Sequence, residues 1–249
     1  MKNSKIIISN QTILITGASG FIGKKLILAL KNNNKLILLD KKSEKKWNNT
    51  KNVSCFNVDF LNEKNLLDQI KKIKKKFKII DHIINLAAIT GDQIDLIKDK
   101  KQAWKSVYTV NLYAPLSIYS ELKNNLLKSK SASILNISSV YGVVQPKFEI
   151  YKSTKIKNSF DYSSSKSSLI YLTKWLSKTY SPKIRVNCVS PGGIKRNQSK
   201  NFIKNYSSKT LLKRMANEED IIGPILFFLS DYSKYITGQN LIVDGGFSI

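Results

Sequence analysis

The chain has 249 residues, 42% of them hydrophobic, enough for one large α/β domain with a substantial core. Its formal net charge of +25 raises a nucleic-acid hypothesis, but only Arg185, Arg196 and Arg214 are arginines among 42 basic residues, and the lysines are spread along the whole length. Bidentate phosphate and guanine readout favours arginine, so the charge is read as a solvated surface and no nucleic-acid partner is expected. No segment has the roughly 18 uninterrupted apolar residues of a membrane span, and the first ten residues lack the pattern of a signal peptide. Cys55 and Cys188 lie in apolar runs and read as buried thiols of a reducing compartment, so a cytoplasmic location is expected.

In chain order, Thr12 to Thr16 is a short apolar run that stops at a glycine cluster. Phe21 to Lys31 then carries Ile22, Leu26 and Leu30 at helical spacing. Lys35 to Asp40 and Val53 to Val58 read as the second and third strands, and Lys64 to Lys76 as an amphipathic helix. Further strands are expected at Ile79 to Leu86, Ser133 to Ile137, Ile184 to Val189 and Leu241 to Val243. Helices are expected around Trp104 to Leu127, Tyr162 to Lys178 and Glu218 to Leu229. Apolar strands alternating with helices indicate an α/β fold with a mostly parallel, seven-stranded sheet covered on both faces. Neither a repeat nor a linker interrupts the chain, so residues 1–249 are expected to form a single doubly wound, Rossmann-type domain.

Two constellations carry chemistry. Thr16-Gly17-Ala18-Ser19-Gly20-Phe21-Ile22-Gly23 falls where the first strand turns into the first helix. Glycines there allow a tight turn and close approach of the backbone to a pyrophosphate, which the helix N-terminus stabilises. Asp40 ends the next strand, 23 residues past Gly17, about where a carboxylate meets the ribose hydroxyls of an adenosine. Its charge favours NAD, although the adjacent Lys41 and Lys42 leave NADP open. Tyr162 and Lys166 stand four residues apart, which on a helix puts them on one face. A neighbouring ammonium is expected to lower the phenol toward the range of proton exchange at neutral pH. His82 is the single histidine, and no cysteines cluster with it, so no metal site is expected. His82 itself reads as a packing or capping residue.

These features, with Asp59, Asn85-Leu86-Ala87-Ala88, Asn111, Ile137-Ser138-Ser139, the stretch Arg185 to Gly193 and the ending Gly238 to Gly246, make the chain resemble the short-chain dehydrogenase/reductase family, compact branch, from about Thr12 to Gly246. The resemblance implies an NAD(P)-dependent oxidoreductase. In it Tyr162 is the general acid/base and Lys166 tunes it while holding the nicotinamide ribose. Ser139 holds the substrate oxygen, and Asn111 holds a water of a proton relay through Lys166. It further implies cofactor contacts from Gly17, Ser19, Gly20, Phe21, Ile22, Gly23, Asp40, Asp59, Phe60, Asn85, Ala87, Pro191, Gly192 and Ile194. A homotetramer or homodimer is implied as well.

Four departures stand out, one of them Asn85-Leu86-Ala87-Ala88 where the compact branch usually has Asn-Asn-Ala-Gly. The Gly-x-x-Gly-x-x-Gly form is usual in the extended branch, which acts mainly on nucleotide sugars. Arg196 occupies the position where many relatives carry a threonine for the nicotinamide carboxamide. Ser139 and Tyr162 are 23 residues apart, a longer interval than is usual, and the added stretch Gln145 to Phe160 contains Lys147, Phe148, Tyr151, Lys152, Lys155 and Lys157. That loop is expected to help bind an anionic sugar derivative. The segments Val140 to Pro146 and Pro191 to Gln198 resemble bacterial dehydrogenases linked to flagellin modification and surface sugars such as legionaminic acid. Two other activities remain open: a 3-oxoacyl-thioester (acyl carrier protein) reductase and an NAD-dependent nucleotide-sugar epimerase or dehydratase.

Overall fold

The computed structural model describes residues 6–42, 47, 49–90, 100–152, 154 and 158–249. Seven strands form one fully parallel sheet in the order β3-β2-β1-β4-β5-β6-β7. They are β1 (Thr12–Thr16), β2 (Lys35–Asp40), β3 (Val53–Asn57), β4 (His82–Asn85), β5 (Ser133–Ile137), β6 (Arg185–Pro191) and β7 (Asn240–Val243). The order runs outward in both directions from β1 and β4, and that reversal opens a crevice at the carboxyl ends of the strands.

The helices are α1 (Phe21–Leu30), α2 (Glu63–Lys76), α3 (Lys100–Tyr108), α4 (Ala114–Leu126), α5 (Phe160–Tyr180), α6 (Lys200–Ser208) and α7 (Glu218–Leu229). Strand residues alternate between two apolar layers. Leu14, Ile37, Ile83, Ile134 and Val186 pack with Leu66, Ile70, Ile118 and Leu122 of α2 and α4. On the opposite face Ile13, Ile15, Leu36, Leu38, Ile84 and Leu135 pack with Leu26, Leu30, Ile221 and Ile225 of α1 and α7. A third cluster, Val140, Ile150, Phe202, Tyr206, Met215 and Phe247, sits under the loops after β5 and β6.

The sequence boundaries move by a few residues in most elements, and two features are new. The stretch expected as one helix from Trp104 is α3 and α4 joined by a π-helical turn at Thr109–Tyr113, which contains Asn111. Helix α6 was not expected. Ser199 caps it by accepting from the Phe202 amide at 3.2 Å, and Phe202 and Tyr206 form its buried stripe. No helix among the described residues is long and apolar enough to cross a membrane.

His82 begins β4, at the end of the sheet opposite the crevice. It is buried, Nδ1 lies 2.8 Å from the Ser133 hydroxyl, and burial pushes its pKa down to about 4, with Arg185 acting in the same direction against Asp81. The unfolded chain therefore takes up this proton first, so stability that is complete above about pH 6.5 declines as the pH falls toward 4. Urea unfolding across that window should show a loss approaching 1.4 kcal/mol per pH unit from this group, and His82→Gln should remove that part of the slope.

Candidate active site

A cleft of about 400 Å³ opens at the carboxyl ends of the strands. On one side it is lined by Gly17, Gly20, Phe21, Ile22 and Gly23 of the glycine turn. On the other it is lined by Ser138, Ser139, Tyr162, Lys166, Pro191, Gly192 and Ile194. The two constellations separated by more than a hundred residues thus face one space.

The glycine turn is built for a close backbone approach. Gly17 has φ +67°, and a Cβ there would fall 2.7 Å from the Ala87 nitrogen, while a Cβ on Gly23 would fall 2.6 Å from the Gly17 oxygen. Gly20 caps α1 without any side-chain hydrogen bond, leaving the first-turn amides to a ligand. Thr16 Oγ1 accepts from the Leu86 and Ala87 amides, both at 3.1 Å, and so fixes the end of β4 against the turn. Asp40 accepts from the Ser19 amide at 2.9 Å and from the Lys42 amide at 3.2 Å. Lys41 is drawn away to Asp59, at 3.0 Å. Burial opposes the charge on Asp59, but hydrogen bonds from Lys41 and the Leu61 amide, with the Lys41 charge, hold its carboxyl below the usual range. These residues fit the adenosine end of a dinucleotide.

Ser19, Asp40, Asp59, Phe60, Asn85 and Ala87 are not among the residues that line the cleft itself. Phe60 is buried in the core beside Val58 and Leu66. Asn85 is also buried, and its amide donates to Asn136 Oδ1 at 2.8 Å, joining β4 to β5. The Ala87 amide is taken by Thr16, and it is Leu86, Ala88, Ile89 and Thr90 that line the wall there. Sequence reasoning did not single out Ile89 or Thr90, which follow the Asn85 to Ala88 motif without belonging to it.

At the other end, Tyr162 and Lys166 lie on α5, one turn apart. Lys166 Nζ sits 5.8 Å from the Tyr162 ring centroid and donates to the Ile137 carbonyl at 2.8 Å. The Ser138 hydroxyl donates to the Lys166 carbonyl at 2.7 Å, so residues at the end of β5 grip Lys166 at both side chain and backbone. Gly142 makes this contact possible, because a Cβ there would fall 2.8 Å from the Lys166 carbonyl carbon. Ser139 and Tyr162 line the same wall of the cleft.

The expectation that Lys166 lowers the phenol is not met. Burial raises Tyr162, opposed by the Ser139 hydrogen bond and the charge of Arg196. Burial also lowers Lys166, to about 8, because desolvation penalises the ammonium itself. Asn111 is fully buried, and its side chain is committed elsewhere. Oδ1 accepts from the Ile89 amide at 2.9 Å, while Nδ2 donates to the Ile89 carbonyl and to Ser165 Oγ, each at 3.0 Å. Asn111 therefore ties the wall after β4 to the helix carrying Tyr162 and makes no direct bond to Lys166.

In the loop Gln145 to Phe160, two side chains are committed within the fold. Lys147 donates to the Phe247 carbonyl at 2.7 Å and lies 4.7 Å over the Phe247 ring. Tyr151 donates to the Tyr141 hydroxyl at 2.7 Å. Lys155 and Lys157 lie outside the described residues. Tyr206, not anticipated, accepts from the Gly193 amide at 2.6 Å and braces the turn after β6. Its signal was the Phe202 to Tyr206 spacing behind a serine cap.

The chain matches the family model described as enoyl-(acyl carrier protein) reductase over residues 23–248. It is similar to the solved short-chain dehydrogenase of Leptospira borgpetersenii with bound NAD+, at 34% identity and a TM-score of 0.85, over 97% of this chain and 94% of that one. The chain belongs to the short-chain dehydrogenase/reductase family. It is accordingly an NAD(P)-dependent oxidoreductase acting on a small molecule. Among relatives, the post-translational flagellin modification protein A of Campylobacter coli is 32% identical over 97% of this chain and all of that protein. The 3-oxoacyl-(acyl-carrier-protein) reductase FabG of Buchnera aphidicola is 31% identical over 96% of this chain and 98% of its own length.

The contact of Gly142 with Lys166 gives a direct test of how the site is held. Gly142→Ala should cost about 1–3 kcal/mol of stability by urea unfolding, as overpacking does in a closed interior, whereas Gly223→Ala, where an added Cβ meets nothing within 4 Å, should not.

Proposed function

We propose that this oxidoreductase is NAD-linked and interconverts a secondary alcohol and a ketone on an anionic sugar derivative, a sugar phosphate or nucleotide sugar, in surface-glycan biosynthesis. The observation that carries the chemistry is the single cleft bounded by the glycine turn and by Ser139, Tyr162 and Lys166. The similarity to flagellin modification protein A, over 97% of this chain and all of that protein, favours a role in modifying a surface structure. Asp40 beside the glycine turn, together with the pairing of Lys41 to Asp59, favours NAD over its 2′-phosphorylated counterpart. In this reading the enzyme works in the cytoplasm as a homodimer or homotetramer.

The bound nicotinamide supplies or accepts the hydride, and the chain's own groups handle the proton and the charge. In reduction Tyr162 gives its phenolic proton to the carbonyl oxygen, and in oxidation it takes the hydroxyl proton back. Ser139 donates to the same oxygen and stabilises the negative charge developing there. Lys166, anchored on Ile137, sits one turn from the phenol on the same face of α5 and holds the nicotinamide ribose. Asn111 keeps α5 in register through Ser165. Gly17, Gly20, Phe21, Ile22 and Gly23 bind the pyrophosphate side of the cofactor. Asp40 with Ser19 and Asp59 takes the adenosine, and Pro191, Gly192 and Ile194 back the nicotinamide. The raised phenol is consistent with a group that keeps its proton until the substrate oxygen claims it.

Reduction of 3-oxoacyl thioesters is the second reading, favoured by the similarity to the FabG reductase. A screen of sugar phosphates and nucleotide sugars with NAD, run beside an acetoacetyl thioester with NADPH, separates the two. The sugar panel should yield turnover and Tyr162→Phe should lower it by about 10²–10⁴-fold. Turnover confined to the thioester would refute the substrate class, and activity surviving in Tyr162→Phe would refute the mechanism.

A further inference from the structure

Arginine is scarce in this chain, and two of its three copies are spent on the fold. Arg185 donates to the Phe228 and Ile236 carbonyls at 3.1 and 3.4 Å. Arg214 forks onto Asp220 at 2.6 and 2.9 Å. Arg196 is different. It lines the cleft with Tyr162 and Ser139, and no described carboxylate pairs with it. Its guanidinium carbon lies 4.3 Å from the centroid of Phe21, the exposed first residue of α1. The backbone beneath it is clasped by Gln198, whose Oε1 accepts from the Arg196 amide at 2.5 Å and whose Nε2 donates to the Ile194 carbonyl at 2.9 Å.

We propose that Arg196 is a specificity-determining residue that binds a carboxylate or phosphate carried by the substrate, with Phe21 holding its guanidinium in place. The inference rests on reading the cleft as the hydride-transfer site. A planar fork of donors suits such a group better than an ammonium, and stacking on an aromatic ring limits the freedom lost on binding. The cofactor's pyrophosphate is the other anion that reaches this cleft, but the uncapped N-terminus of α1 already serves it. Arg196 lines the cleft together with Tyr162 and Ser139, the groups that would handle the substrate oxygen. The loop before α5 supplies no equivalent from Lys147, which is bound to Phe247.

Calorimetric titration of inorganic phosphate into the full chain, with and without saturating NADH, tests the assignment in wild type, Arg196→Gln, Arg196→Lys and Lys195→Gln. Phosphate should bind wild type and Lys195→Gln alike, weaken by about tenfold or more in Arg196→Gln, and recover partly in Arg196→Lys. NADH affinity should stay within about twofold throughout. Phosphate binding that is absent from wild type or unchanged in Arg196→Gln would overturn the proposal. So would a matching loss of NADH affinity, which would give the charge to the dinucleotide. Phosphate binding through Arg196 in a wild type that binds no NADH would uphold the anion site and overturn the hydride-transfer reading.

Discussion

The arrangement of the site depends on one buried cation. Lys166 is almost completely enclosed, yet its ammonium is held by a single described carbonyl, Ile137, while its own carbonyl accepts from Ser138. Enclosing an ammonium costs several kcal/mol unless it is well bonded, and the cost appears as the fall of its pKa to about 8. The pair of bonds locks α5 to the end of β5. Because Ser139 follows Ser138 and Tyr162 precedes Lys166 by one turn, the lock sets where Ser139 and Tyr162 stand as well. Gly142 completes it by leaving no side chain between the two segments.

The parallel sheet supplies the other half of the arrangement. Every strand ends on the same edge, so the turn after β1 and the residues after β5 and β6 meet at the point where the strand order reverses. Thr16 holds the end of β4 to the turn, and Asn111 carries the connection onward from the wall after β4 to Ser165 on α5. The two sides of the cleft are therefore linked by short polar contacts through Thr16 and Asn111.

Much of this was legible in the residues. Strands apolar throughout announced the parallel sheet, and the glycine turn followed by Asp40 marked its dinucleotide end. What escaped sequence reasoning depends on groups far apart in the chain. The fate of the Tyr162 proton is governed by burial, which spacing along a helix does not report. Lys147 is taken by a carbonyl 100 residues away, and Asn85 turns inward to Asn136 on a neighbouring strand. The π-helical turn around Asn111 has no local composition signal. Arg196 was visible as an odd residue in a familiar motif, but its pairing with Phe21 on α1 arises only from the fold.

The central claim is that the glycine turn and the Lys166-anchored helix enclose one dinucleotide site that favours NAD. Equilibrium titration of the full chain with NADH and NADPH tests it most directly. The account predicts one site per chain, NADH tighter than NADPH by about tenfold or more, and loss of binding in Gly17→Val, whose side chain would occupy the Ala87 backbone. Absence of dinucleotide binding in wild type, or binding untouched by Gly17→Val, would contradict it.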